Sequence, residues 1–228
     1  MTTSSRPLAL VTGASRGVGA AAARALAPTH DVLLGGRDTV ALAALAEALP
    51  GARTWPVELT EVAVADVADI ATLDVLVHSA GTARVATLAA TSAQRWRSTL
   101  EVNVVAVAEL TRLLLPALRA AEGHVVMINS GAGLRANPGW GAYAASKFAL
   151  RALADVLRAE EPALRVTSLH PGRIATDMQR QVRADEGGSY EAGSYLRPET
   201  VAAAVLAAVQ TPADAHPTDV VLRPRGSA

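Results

Sequence analysis

Apolar residues along the chain fall into two alternating patterns. Short, nearly continuous runs recur at PLALVT (7–12), DVLLGG (31–36), ARTWPV (52–57), LDVLVHS (73–79), HVVMINS (124–130), RVTSLHP (165–171) and DVVLRP (219–224). Between them lie Ala-, Leu- and Arg-rich stretches of helical period at 17–27, 39–48, 92–101, 103–121, 142–160 and 198–209. In 103–121 the residues Val104, Val107, Leu110, Leu114 and Leu118 return every three or four positions, the stripe of an amphipathic helix. Runs that are apolar on both faces suit strands covered on both sides, and their alternation with helices predicts a parallel sheet. The expected architecture is therefore α/β, a doubly wound (Rossmann-type) parallel sheet of about seven strands with helices on both faces, and ligands at the C-terminal strand ends. No linker, repeat or composition break interrupts 1–228, which reads as a single domain. The longest stretch without periodicity is 174–196, and loops of that length in compact domains often serve as lids.

Composition narrows the functions. The 228 residues are half apolar and carry no formal net charge, with no basic block to attract nucleic acid or an anionic membrane. There is no cysteine, which removes disulfides, thiol catalysis and thiolate metal sites. The five histidines at 30, 78, 124, 170 and 216 show no paired ligand spacing, so no metal site is expected. MTTSSRPLALVTG lacks the pattern of a secretory leader, and no apolar run approaches the roughly 18 residues of a membrane span. A cytoplasmic protein is expected.

The first strand ends in TGASRGVG (12–19) and runs straight into an Ala-rich helix. Gly13, Gly17 and Gly19, with Ser15 and Val18 between them, make a turn whose backbone N–H groups can approach a phosphate, helped by the helix dipole. The spacing G-x-x-x-G-x-G differs from the commoner G-x-G-x-x-G, and a plain strand–helix turn remains the alternative. Arg16 lies in this loop and Arg37 follows the second strand in Gly36-Arg37-Asp38. An acidic residue there grips a ribose 2′-hydroxyl, whereas arginine accommodates a 2′-phosphate. Two arginines favour NADP(H), and Asp38 argues the other way.

The segment YAASK (143–147) contains the only lysine of the chain and one of its three tyrosines. On a helix, Tyr143 and Lys147 share a face one turn apart. A phenol near pKa 10 is a weak acid or base at neutral pH, and a neighbouring ammonium lowers that value. Ser130 ends the HVVMINS strand, followed by a Gly- and Pro-rich loop that returns the chain beside the sheet. Together these residues can bind a carbonyl oxygen, with Ser130 polarising it and Tyr143 delivering a proton.

The stretches TGASRGVG (12–19), VHSAG (77–81), VNVVA (102–106), INS (128–130), YAASK (143–147) and HPGRIATDM (170–178) occur in an order that resembles the short-chain dehydrogenases/reductases, in their shorter single-domain branch. The resemblance implies one dinucleotide-binding and catalytic domain over 1–228, with a substrate lid at about 174–196. It implies that Tyr143 is the catalytic acid/base and that Lys147 binds the nicotinamide ribose and lowers the Tyr143 pKa. Ser130 would orient the substrate oxygen, and Asn103 would sit at a helix distortion and hold a water in the proton path. Cofactor contacts would come from Gly13, Ser15, Arg16, Gly17, Val18, Gly19, Arg37, Glu58, Leu59, Ala80, Gly81, Asn103, Tyr143 and Lys147. The turn Pro171-Gly172, with Ile174 and Thr176, would lie beside the nicotinamide. Two departures stand out: His78-Ser79 replaces the family's Asn-Asn, with His78 read as a packing residue, and Glu58 replaces an Asp. Trp140, Leu134, Tyr190 and Tyr195 are candidate apolar walls of the substrate pocket. Family members commonly pair through the segments here at 103–121 and 142–160, which implies a homodimer or homotetramer. The expected activity is NADP(H)-dependent hydride transfer to or from a small or medium carbonyl or alcohol, with NAD(H) also possible. Two alternatives are an NADP(H)-binding redox sensor without turnover and a nucleotide-sugar epimerase or dehydratase.

Overall fold

The computed structural model describes residues 6–225; the start of the segment read for a leader, residues 1–5, and residues 226–228 lie outside it. Seven strands form one sheet: β1 (Leu8–Thr12), β2 (Asp31–Gly36), β3 (Ala52–Pro56), β4 (Val75–His78), β5 (His124–Ile128), β6 (Arg165–Pro171) and β7 (Asp219–Leu222). Their order is β3-β2-β1-β4-β5-β6-β7, with every pairing parallel. The direction of winding reverses between β1 and β4, which opens a crevice at their C-terminal ends.

Alternation along each strand divides the core in two. Ala9 and Val11 of β1, Val75 and Val77 of β4, and Val126 of β5 face α1 (Gly17–Leu26), α2 (Thr39–Glu47) and α8 (Pro198–Val209). Leu10, Leu76, Val125 and Met127 face the opposite layer, α5 (Ala106–Ala121) and α6 (Gly141–Glu160). Each fully buried leucine here, such as Leu10, Leu76 or Leu110, contributes about 1.5–3 kcal/mol relative to exposure. α8 begins with Pro198 in its first turn and Glu199 beside the positive helix end.

Four features differ from the sequence expectation. β3 and β7 are half exposed, because each is an edge strand with a helix layer over only part of its surface. A short helix, α3 (Val64–Val67), interrupts the stretch before β4, where the Asp66 carboxylate accepts from the Ala63 amide. The segments 92–101 and 103–121 are one continuous helical rod: α4 (Ala93–Leu100) passes through a π-turn at Glu101–Val105 into α5. Within 174–196 a helix forms, α7 (Asp177–Asp185). Thr176 caps it by accepting from the Gln179 amide, Asp177 sits at its positive end and Arg183 at its negative end. Only Gln179 and Val182 of α7 are buried, so its polar sequence hides the helical period. The ends of this excursion are pinned together, Ala175 donating to Leu196 and Leu196 to Arg173. No helix among the described residues is long and apolar enough to cross a membrane.

Candidate active site

The crevice at the β1–β4 switch is a cleft of about 1500 Å³. One end of it is the glycine turn. Gly13 has φ +65°, and a Cβ there would lie 2.9 Å from the backbone of Ala80. A Cβ at Gly19 would fall 2.2 Å from the Gly13 carbonyl oxygen, so only glycine lets α1 approach the turn this closely. Thr12 locks the two loops together: its hydroxyl accepts from the amides of Ser79 and Ala80 (both 3.1 Å) and donates to the Val77 carbonyl (3.3 Å). The N-terminus of α1 has no side-chain cap and no acid in its first turn. Its N–H groups and dipole are thus available to an anion in the cleft, which Gly13, Ser15, Arg16, Gly17, Val18 and Gly19 line. Val18 is also buried in the core.

Arg37, Glu58, Leu59, Ala80 and Gly81 also line the cleft, Ala80 directly against Gly13. Asp38 lines the cleft too, but its carboxylate caps α2, accepting from the Ala41 amide at 3.0 Å. Arg37 is 76% exposed and pairs with Glu58 at 3.2 Å. The other Glu58 oxygen accepts from the amide and hydroxyl of Thr60 (3.3 and 3.0 Å). Partial burial pushes the Glu58 carboxyl up, but the bonds from Thr60 and Arg37 outweigh it and hold the group below its ordinary value.

The other end of the cleft holds Tyr143 and Lys147, both buried on α6. Ser130 caps the turn after β5, its hydroxyl accepting from the Ala132 amide at 3.1 Å, and it lies near enough to the Tyr143 phenol to draw that group's pKa down. Lys147 donates to the Ile128 carbonyl at 2.9 Å and sits 5.9 Å from the centre of the Tyr143 ring. An ammonium has three N–H groups, and this bond uses one. Burial lowers the Lys147 pKa to about 8. The expectation that Lys147 lowers the Tyr143 pKa is not met: burial raises it, and the nearby Ser130 hydroxyl opposes that shift without cancelling it. The ammonium lies over the ring face, and the phenol has lost its water.

Asn103 sits in the π-turn, buried, as the resemblance implied for a distorted helix. Its amide donates to the Thr82 carbonyl (2.9 Å) and the Ser146 hydroxyl (3.0 Å), and its oxygen accepts from the Thr82 amide (2.8 Å). Both side-chain N–H groups are therefore used inside the fold. Asn103, Ser130, Pro171 and Gly172 are not among the residues that line the cleft. Gly172 instead donates to the Leu222 carbonyl (2.8 Å) and packs on Pro224, while Ile174 and Thr176 reach the cleft.

The four candidate apolar walls are not on the cleft. Trp140 is edge-on to Tyr143 at 5.6 Å, in a cluster with Ala83, Val85, Ala132 and Val182. Tyr190 stacks between Arg180 (4.0 Å) and Tyr195 (5.4 Å), so the aromatics of 174–196 satisfy one another. That excursion is fastened by adjacent carboxylates. Asp185 accepts from Arg84 (3.0 and 3.3 Å), the Val85 amide and Gln181, and Glu186 from Arg173, Arg183 and the Trp140 indole.

Three residues that carry this geometry escaped the sequence reading. Asn129 accepts from the Ser130 amide (2.8 Å) and donates to the Lys147 carbonyl (3.1 Å), bridging two site residues. Thr12 joins β1 to the β4 loop, and Ser146 joins Asn103 to the Tyr143 carbonyl (2.7 Å). Each lies inside a quoted motif, which was the available signal. His78 is a packing residue, bonded to Thr111 at 2.9 Å and pushed by burial to a pKa of about 3.

A sequence profile of the family described as short chain dehydrogenase matches residues 7–187. The chain is 32% identical over 243 residues to dehydrogenase/reductase SDR family member 11 of Mus musculus, covering 95% of this chain and 94% of that one. It is 34% identical over 236 residues to glycine betaine reductase ATRR of Emericella nidulans, covering 96% of this chain but spanning 19% of that longer protein. Among solved structures, an alcohol dehydrogenase of the archaeon Thermococcus sibiricus, complexed with 5-hydroxy-NADP, superposes with a TM-score of 0.88 at 26% identity over 97% of this chain and 98% of that one. The glycine turn and the Tyr143–Lys147 helix both fall within the matched span, and the chain belongs to the short-chain dehydrogenase/reductase family of oxidoreductases.

Proposed function

We propose that the chain is an NADP(H)-dependent oxidoreductase transferring hydride between the nicotinamide and a small or medium carbonyl or alcohol, with Tyr143 as acid/base. The observation that carries this reading is the placement of Tyr143, beneath the Lys147 ammonium, in a cleft that an uncapped helix N-terminus also lines. The residues present fit a dinucleotide. The α1 amides suit a diphosphate, the spare Lys147 donors suit ribose hydroxyls, and Arg16 and Arg37 suit a 2′-phosphate. The relative from Thermococcus sibiricus, solved with an NADP derivative, supports the same cofactor class.

When bound, the nicotinamide supplies or accepts the hydride; the protein manages the oxygen. Tyr143, which lines the cleft, would meet a carbonyl oxygen there, and Ser130 beside it would help orient that oxygen. Burial keeps Tyr143 protonated at neutral pH, which suits it to donate to the developing alkoxide during reduction. Lys147 holds positive charge over the ring and is fixed to the β5 terminus. Asn103 positions Thr82 and, through Ser146, the start of α6. The polar fastening of the lid by Arg84 and Asp185 favours a compact substrate. Exposed Val105 and Phe148 (49% and 41%) flank the α5 and α6 surface and support pairing of two copies there.

The test is oxidation of NADPH and NADH, followed by nicotinamide absorbance, over a panel of aldehydes and ketones beside Tyr143→Phe. The proposal expects substrate-dependent NADPH turnover that Tyr143→Phe lowers by about 10²–10⁴-fold. Tight nucleotide binding without turnover over the whole panel would replace it with the sensor reading.

A further inference from the structure

The adenosine end of the cleft carries a contact that works against the 2′-phosphate reading. Arg37, the side chain that follows β2, is paired to a carboxylate, and that carboxylate belongs to Glu58, which also lines the cleft. Glu58 cannot simply swing away: Thr60 holds its second oxygen through both an amide and a hydroxyl. Arg37 by contrast is the more exposed partner, at 76% against 35% for Glu58. The other carboxylate nearby, Asp38, is occupied as the cap of α2, while Arg16 and Arg24 line the cleft without an ion pair among the described residues. A 2′-phosphate reaching Arg37 therefore meets a guanidinium whose charge is already partly offset through Nη1, and must accept a like charge close by.

We infer that Glu58 is a specificity-determining residue that opposes binding of a 2′-phosphorylated adenosine by holding Arg37, so that the site accepts both nicotinamide dinucleotides. This rests on the dinucleotide reading of the cleft. A ligand with a free 2′-hydroxyl leaves the Arg37–Glu58 pair intact and is indifferent to it. A ligand with a 2′-phosphate gains Arg37 only by sharing it. The longer side chain matters here: Glu58 reaches both Thr60 and Arg37 at once.

The experiment is titration calorimetry of adenosine 2′,5′-bisphosphate and of adenosine 5′-diphosphate with wild type, Glu58→Gln, Arg37→Gln and the double variant, which needs no substrate. Gln retains the oxygen that accepts from Thr60, and circular dichroism verifies the fold. Glu58→Gln binds the bisphosphate about two- to fivefold tighter, with the diphosphate unchanged. The gain shrinks with added salt and disappears when Arg37 is already Gln. Unchanged or weaker bisphosphate binding overturns the inference, since Glu58 then positions Arg37 for the phosphate. An equal gain for both nucleotides also overturns it, as a general charge effect. If wild type and Glu58→Gln bind neither nucleotide, the dinucleotide reading itself fails.

Discussion

The two ends of the cleft are built differently. At the Tyr143 end the groups are tied to one another and all but the half-buried Ser130 are buried: Asn129 bridges Ser130 to Lys147, Ser146 bridges Asn103 to Tyr143, and Lys147 is fixed to Ile128. At the Arg37 end the polar groups sit in or near solvent, held by one ion pair and two caps. In the interior a polar group must be satisfied or the fold loses stability, so geometry there is fixed before any ligand arrives. At the surface the same distances cost and contribute little, and ligand preference is decided by small differences between charges. Catalytic geometry and cofactor preference are therefore expected to respond to mutation on different scales.

The largest effect belongs to the phenol. Tyr143→Phe keeps the ring against Trp140 and removes only the proton donor, so turnover falls by about 10²–10⁴-fold while the melting temperature stays near wild type. A parallel loss of stability would show that the hydroxyl is structural. Next comes acid sensitivity. His78 and His124 are buried and held at a pKa of about 3, against an ordinary histidine value of 6.5. Between these values the unfolded chain takes up protons that the native one refuses, so stability falls as pH drops from about 6.5 toward 3. The two together remove on the order of 3–5 kcal/mol near pH 4.5. His78→Gln flattens the pH dependence of urea unfolding in that window; an unchanged slope would locate the acid sensitivity elsewhere.

Asn129→Ala follows, destabilising by about 2–4 kcal/mol because it orphans the Ser130 amide and the Lys147 carbonyl together. Chemical denaturation measures this, and a loss under about 1 kcal/mol would mean that water replaces both bonds.

Why Asn129 was missed while Tyr143 was found follows from the kind of information each carries. Tyr143 and Lys147 share a helix, so their spacing alone places them together, and the seven strand runs announce themselves by composition. Asn129, Thr12 and Ser146 act across the sheet on partners far along the chain, which no local pattern encodes. The same holds for Arg37 and Glu58, which meet only because β2 pairs with β3. Helix α7 was hidden because a polar helix over a cleft buries too few residues to show a period. The direction of the Tyr143 shift was misjudged because sequence gives the proximity of Lys147 but not the depth of burial, and burial is the larger influence.

Lys147 itself sharpens the contrast between a site and a scaffold. Its pKa of about 8, against 10.5 in the unfolded chain, means that below pH 8 the fold carries the cost of a buried charge. Between 8 and 10.5 the unfolded state binds more protons, so stability rises with pH across that window. Lys147→Met removes the rise and, at neutral pH, stabilises by about 1–3 kcal/mol after the lost bond to Ile128 is counted. A Met variant less stable than wild type at neutral pH would show that the ammonium is better solvated than its burial indicates.

The smallest effect is the one that tests the surface end. Arg37 and Glu58 are 3.2 Å apart, close enough for a strong interaction in an apolar medium, yet Arg37 is 76% exposed. Screening by water and the entropy of a long side chain leave such a pair at about 0–1 kcal/mol. Arg37→Gln should accordingly shift the unfolding free energy by less than about 0.5 kcal/mol, in low and moderate salt alike. A shift above about 1 kcal/mol would make the pair part of the scaffold joining β2 to the turn after β3. That small contribution to stability is what leaves position 37 free to be tuned for a ligand, whereas Asn129, equally polar and equally close to its partners, is committed to the fold.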